Sequence, residues 1–180
     1  MSWSTISADQ VAPQAWKNGG GMTRELLAWP HAHDWVLRIS VADIEADEPF
    51  SSFPGVQRWF AVLAGAGVRL FDEELQMGSD LFSFDGAQAP DCQLVNGPTR
   101  DFNLMHRRAH GSLQVSRADA GVAPAAWVGL FTAEGGVLNH GGREMVLPAQ
   151  SLAWCERPAA QPLSFKGGGA AWWMRWSESP

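Results

Sequence analysis

With 180 residues, 46% hydrophobic and 18% charged, the chain can bury a substantial core and falls within the size of one compact unit. The net charge is -6 and the only lysines are Lys17 and Lys166, so no basic stripe is present to neutralise phosphates, and nucleic acid and anionic membrane are poor partners. No run approaches the roughly 18 apolar residues of a membrane span, and the start of the chain lacks the basic and apolar regions of an export signal, so a cytoplasmic protein is expected. Cys92 and Cys155 form no CxxC pair and read as reduced, structural thiols.

In chain order, the pattern is one of alternation and turns, not of helical periodicity. Asn18-Gly19-Gly20-Gly21 reads as a tight turn or close-approach loop leading into a strand over residues 23–29. Trp35, Leu37, Ile39 and Val41 are apolar at every second position, which makes residues 34–42 a half-buried strand whose other face carries Arg38 and Ser40. A loop over residues 51–55 ends in Pro54-Gly55 and is followed by the apolar run 59–63 and by Gly65 and Gly67. Gly97-Pro98 turns into another strand at 101–106. The alanine-rich stretch 118–127 is broken by Gly121 and Pro124 and supports at best one short helical turn.

Two segments of the chain resemble each other. Residues 62–70 and 75–84 match 130–138 and 145–154, with Gly67 aligned to Gly135 and Phe84 to Trp154. Each copy runs strand, Gly-containing turn, strand, short link and apolar strand. This rhythm leads to an all-β fold of bicupin type: two cupin-like barrel halves, residues 1–108 and 109–180, in one compact chain.

Four separated motifs then occur in order: Trp16-Lys-Asn-Gly-Gly-Gly21 with Thr23 and Glu25, Arg38-Ile-Ser40, Phe50-Ser-Ser-Phe-Pro-Gly55 with Arg58, and Asp101-Phe-Asn103. In these the chain resembles the HutD/Ves family. The resemblance is strongest over residues 16–67 and 101–105 and looser after Ala109. It implies a bicupin fold, a cytoplasmic bacterial protein, no established catalytic activity, and, through its HutD branch, a link to histidine utilisation by sensing of a pathway metabolite.

The same motifs suggest a chemistry of their own. Arg38 and Ser40 share one strand face, Thr23 and Glu25 another, and Asp101 and Asn103 a third. If these faces line a barrel interior, they gather Lys17, Arg38 and Arg58 with Glu25 and Asp101 and with Asn18, Thr23, Ser40 and Asn103. Three cations against two carboxylates leave one positive charge, which suits a small anionic metabolite gripped by an arginine fork. Alternating polar faces ordinarily look at water, and Trp16, Phe50 and Phe53 are then core anchors, with Arg38 and Asp101 forming an ion pair.

No cofactor and no metal are expected. His31-Ala-His33 precedes its strand and has no acid at Val36 or Leu37, while His106, His110 and His140 read as scattered and exposed. There is no Gly-x-Ser-x-Gly elbow and no phosphate loop. Three functions stand: a non-catalytic carboxylate-binding regulator, with urocanate and formylglutamate as ligands to try; a metal-independent isomerase or lyase using Glu25 or Asp101 as base; and an interaction module or homodimer whose seam uses some of the ten tryptophans.

Overall fold

The structure, a computed structural model, describes residues 2–178, so Met1 of the first expected half and Ser179 and Pro180 of the second lie outside the described residues. Among the described residues there are eighteen strands, one 3-10 turn at Ala8–Gln10 and no α-helix. It separates into two units. Val11–Ala109 forms the first, and the stretch from His110 onward forms the second together with the residues up to Gln10.

β1 (Ser4–Ser7) belongs to the second unit. The first unit contains β2 (Gln14–Ala15), β3 (Gly21–Trp29), β4 (Leu37–Ile44), β5 (Glu48–Pro49), β6 (Val56–Ala64), β7 (Val68–Leu70), β8 (Glu73–Leu75), β9 (Phe82–Asp85), β10 (Asp91–Leu94) and β11 (Thr99–Arg107). They form a six-stranded sheet, β2-β3-β4-β11-β6-β9, and a four-stranded sheet, β5-β10-β7-β8. Ile44, Phe60, Val62 and Phe84 from the larger sheet pack with Val68, Leu70, Leu75 and Cys92 from the smaller one into a single core.

The second unit continues with β12 (Ser112–Arg117), β13 (Trp127–Thr132), β14 (Gly136–His140), β15 (Arg143–Leu147), β16 (Ser151–Glu156), β17 (Leu163–Gly167) and β18 (Ala171–Ser177). Its sheets run β1-β16-β13-β18-β12 and β15-β14-β17. Val128, Leu130, Ala153 and Trp173 of the first pack with Leu138, Leu147 and Leu163 of the second.

The repeat read in the sequence is a repeat of topology. The order β4-β11-β6-β9 in the first unit matches β12-β18-β13-β16 in the second, and β10-β7-β8 matches β17-β14-β15. The aligned glycines do the same task in each copy. Gly67 has φ +117° and Gly135 φ +87°, and a Cβ on them would lie 2.4 Å from the Leu75 carbonyl oxygen and 2.7 Å from that of Leu147. Only glycine admits both the backbone angle and this approach of the hairpin.

Two expectations need correction. Among the described residues none of the four sheets closes on itself, so the expected barrel halves are pairs of open sheets packed face to face, held by side chains where a barrel would continue its hydrogen bonding. The strand expected at 34–42 is Leu37–Ile44 and is buried on both faces: Leu37, Ile39 and Val41 are fully buried, and Ser40 and Ala42 on the opposite side are also inside. Residues 118–127, where at best one short turn is expected, hold a turn and an isolated bridge from Val122 to Leu163, with the Val122 N–H and C=O committed to Leu163.

Gly67→Ala is expected to lower the unfolding free energy in urea by more than the roughly 1–2 kcal/mol of left-handed backbone strain alone. Gly55→Ala, which shares the positive φ with no atom in the way, should cost less.

Candidate functional site

The site is set by register. On β4, β11 and β6 every second side chain points into the first unit, and the ladders arrange these side chains in rows. Arg38 pairs across with Met105, and Met105 with Arg58; Ser40 pairs with Asn103, and Asn103 with Phe60; Ala42 pairs with Asp101, and Asp101 with Val62. From β3, Glu25 extends the second row beside Ser40 and Thr23 extends the third beside Ala42. Arg38 and Arg58 thus sit two strand spacings apart, roughly 9.5 Å along the row.

A cavity of about 470 Å³ opens over these rows, large enough for a small metabolite. Its lining includes Lys17, Asn18, Thr23, Arg38, Ser40, Arg58 and Asn103, seven of the nine residues singled out in the sequence, together with Trp16, Phe50, Phe53 and Met105. Lys17 and Asn18 are exposed, whereas Ser40 and Asn103 are each 8% exposed. The Ser40 and Asn103 side chains therefore do not look outward to bulk water.

Arg58 dominates the electrostatics. It is 5% exposed, and its guanidinium lies over the rings of Phe50, Phe84 and Phe53 at 4.9, 5.1 and 5.7 Å. It donates to the Ser51 carbonyl and to Asn103 Oδ1, each at 3.3 Å. No carboxylate among the described residues lies within ion-pair distance of it. Burial, and then the neighbouring charge of Arg38, lower its pKa to about 10. A cation desolvated in this way without a counter-charge is costly to the empty protein. The aromatic faces offset part of that cost.

The remaining two residues of the expected set stand behind the lining. Glu25 is not part of the cavity wall; its Oε2 accepts from Arg38 Nε at 2.6 Å. Asp101 is fully buried, accepts from Thr99 Oγ1 at 2.7 Å through Oδ2, and leaves Oδ1 without a partner. Burial first, and the charge of Asp43 second, push its carboxyl up to about 8 against the opposing Thr99 bond, so it is largely protonated at neutral pH. The expected ion pair between Arg38 and Asp101 does not form, because Arg38 is taken by Glu25. Counting Lys17, Arg38 and Arg58 against Glu25 alone leaves two positive charges at the cavity where the sequence had suggested one.

Phe50 and Phe53 are both core and wall, and Phe84 on β9 is the third ring under Arg58. The sequence carried no signal for Phe84 in this role, since it stands 26 residues from Arg58 and meets it only through the β6–β9 register. His31 and His33 are exposed in a turn, but His106 is buried. His140 lies at the end of β14, where its Nδ1 accepts from Trp3 Nε1 at 3.2 Å. Among the described residues no group of three or more His, Cys, Asp or Glu side chains converges. No helix among them is long and apolar enough to cross a membrane.

With this geometry in hand, the comparisons with known proteins are direct. The HutD family model matches residues 8–173. The chain belongs to the HutD family. An uncharacterised 21.2 kDa protein in the hutC 3' region of Pseudomonas putida is 36% identical over 107 residues, 56% of each chain. Protein Ves of Citrobacter koseri is 36% identical over 111 residues, 58% of each chain. The alignments thus span little more than half the length of these curated relatives. The structure of HutD from Pseudomonas fluorescens SBW25, titled as a formate condition, superposes with a TM-score of 0.81 at 24% identity, covering 99% of this chain and all of that one. The fold of this HutD-family chain is therefore all-β and cupin-like in its structural neighbours.

The Asp101 carboxyl yields a pH prediction with a definite sign. Its folded pKa lies above the unfolded value, so the folded chain holds the extra proton and stability falls as pH rises from the ordinary carboxylate range to about 8, then levels. Asp101→Asn should flatten that decline when urea midpoints are measured between pH 5 and pH 9.

Proposed function

We propose that this HutD-family protein is a non-catalytic receptor for a small carboxylate, held in the cavity of its first unit and read out in the regulation of histidine utilisation in the cytoplasm. The observation that carries this reading is Arg58, a buried guanidinium that faces a cavity without a protein carboxylate to neutralise it. An anionic ligand supplies the missing charge and accepts the fork's remaining N–H groups. The P. putida relative in the hutC 3' region supports the metabolic setting. Urocanate and formylglutamate are the pathway intermediates to test.

We read the matched strand orders of the two units as a bicupin whose copies have diverged. Counting nine residues back from the aligned glycines, Arg58 corresponds to Ala126, and the Asp101 position opposite Val62 is taken in the second unit by Trp173 opposite Leu130. Trp173 is fully buried in the apolar core there. The charged binding row belongs to the first copy. An isomerase or lyase reading has less support, because neither Glu25 nor Asp101, the carboxyls available as bases, lines the cavity.

Calorimetry at low salt with urocanate and formylglutamate should show saturable binding that Arg58→Met reduces by at least about 100-fold, the loss of a charge-assisted fork being worth roughly 3 kcal/mol. The same substitution should raise the urea midpoint of the unliganded protein, because an unpaired buried charge gives way to an apolar side chain. No heat from any pathway carboxylate at millimolar concentration would overturn the proposal.

A further inference from the structure

The cavity's hydrogen-bonding inventory is one-sided. Thr23 Oγ1 accepts from Trp16 Nε1 at 2.7 Å, which uses one of its two lone pairs and leaves its proton for a ligand. Asn18 Oδ1 accepts from the Gly20 N–H at 3.1 Å, which orients its NH₂ group as the available end. Asn103 Oδ1 accepts from Arg58, again leaving the NH₂ group. The Ser51 carbonyl is likewise taken by Arg58. Glu25, the one charged acceptor near the site, is turned to Arg38 and stands outside the lining. Lys17, Arg38 and Arg58 are donors only. Thr23, Asn18 and Asn103 thus each have one of two acceptor lone pairs committed within the protein, and Ser40 alone among these polar side chains makes no described hydrogen bond.

We infer that the site, read as a carboxylate receptor, selects acids that carry no free ammonium group and excludes the corresponding α-amino acids. This rests on the carboxylate reading and adds a rule of discrimination to it. An ammonium brings three donors and no acceptor. In this cavity it meets an excess of two positive charges and acceptors already half committed to the protein, so the water it sheds is poorly replaced. A carboxylate, an acyl amide oxygen or a neutral heteroaromatic nitrogen finds donors at every turn. The specificity lies as much in Trp16, Gly20 and Arg58, which occupy the protein's own acceptors, as in the groups that touch the ligand.

Two probe pairs that differ only at the α-nitrogen test this: N-acetyl-L-glutamate against L-glutamate, and 3-(imidazol-4-yl)propanoate against L-histidine. Titration calorimetry of the intact protein at pH 7 should show binding of the acid lacking the ammonium in at least one pair, with its amino acid weaker by 100-fold or more. Asn18→Asp keeps an acceptor for the Gly20 N–H but presents a carboxylate oxygen to the ligand, and it should narrow that ratio at least tenfold. Equal affinity within a binding pair, or an unchanged ratio in the variant, overturns the inference while leaving the carboxylate reading intact. Absence of binding by all four compounds and by the pathway intermediates overturns both.

Discussion

The central ladder β4-β11-β6 is the constraint on which the rest of the first unit depends. Both faces of β4 and β11 are largely buried, with Leu37, Ile39, Val41, Phe102 and Leu104 at zero exposure on one side and Ser40, Asp101 and Asn103 nearly so on the other. A slip of one residue would exchange these two sets, placing apolar groups in the cavity and charged ones in the opposite buried face. The register is therefore held from two sides at once, and the rows of inward side chains are held with it. The pairing is irregular at two places, beside Arg100 where β11 meets β6 and between Glu25 and Leu27 where β3 meets β4.

Within that frame the polar groups form a graded system. Glu25 satisfies Arg38 at the edge of the cavity, where both are about a third exposed and the pair is screened. Arg58, deeper, is left with aromatic faces and two neutral acceptors. Asp101, deeper still, gives up its charge in place of pairing. Neutral Asp101 matters for the site, since a second carboxylate beside Ala42 would cancel part of the positive field at the cavity. Outside the cavity, Asp43 shows the contrasting case: burial would raise its carboxyl, but hydrogen bonds from Arg100 and Arg24 hold it below the ordinary range.

The matched strand orders of the two units show that the fold does not require such a costly row. The second unit repeats the strand orders and the glycine approach at Gly135, yet fills the positions matching Arg58 and Asp101 with Ala126 and Trp173. One copy keeps an apolar core and the other carries the charges. Fold and site are separable in this way because the hairpin geometry rests on glycine and on backbone contacts, not on what the inner rows hold.

The sequence by itself determined the all-β character, the strand at the Leu37–Val41 alternation, the repeat with its paired glycines, and which polar residues share a strand face, since period-two alternation places Arg38 with Ser40 and Asp101 with Asn103 wherever the strands run. It could not rank these residues. Alternation says which side chains share a face but not how deep the face lies, so Arg58 and Asp101 read alike as charged positions until burial separated a retained cation from a protonated acid. It also could not find Phe84, choose Glu25 over Asp101 as the partner of Arg38, or send the first ten residues to the second unit, where β1 pairs with β16. Those outcomes follow from which strands become neighbours and in which register, and tertiary packing decides both.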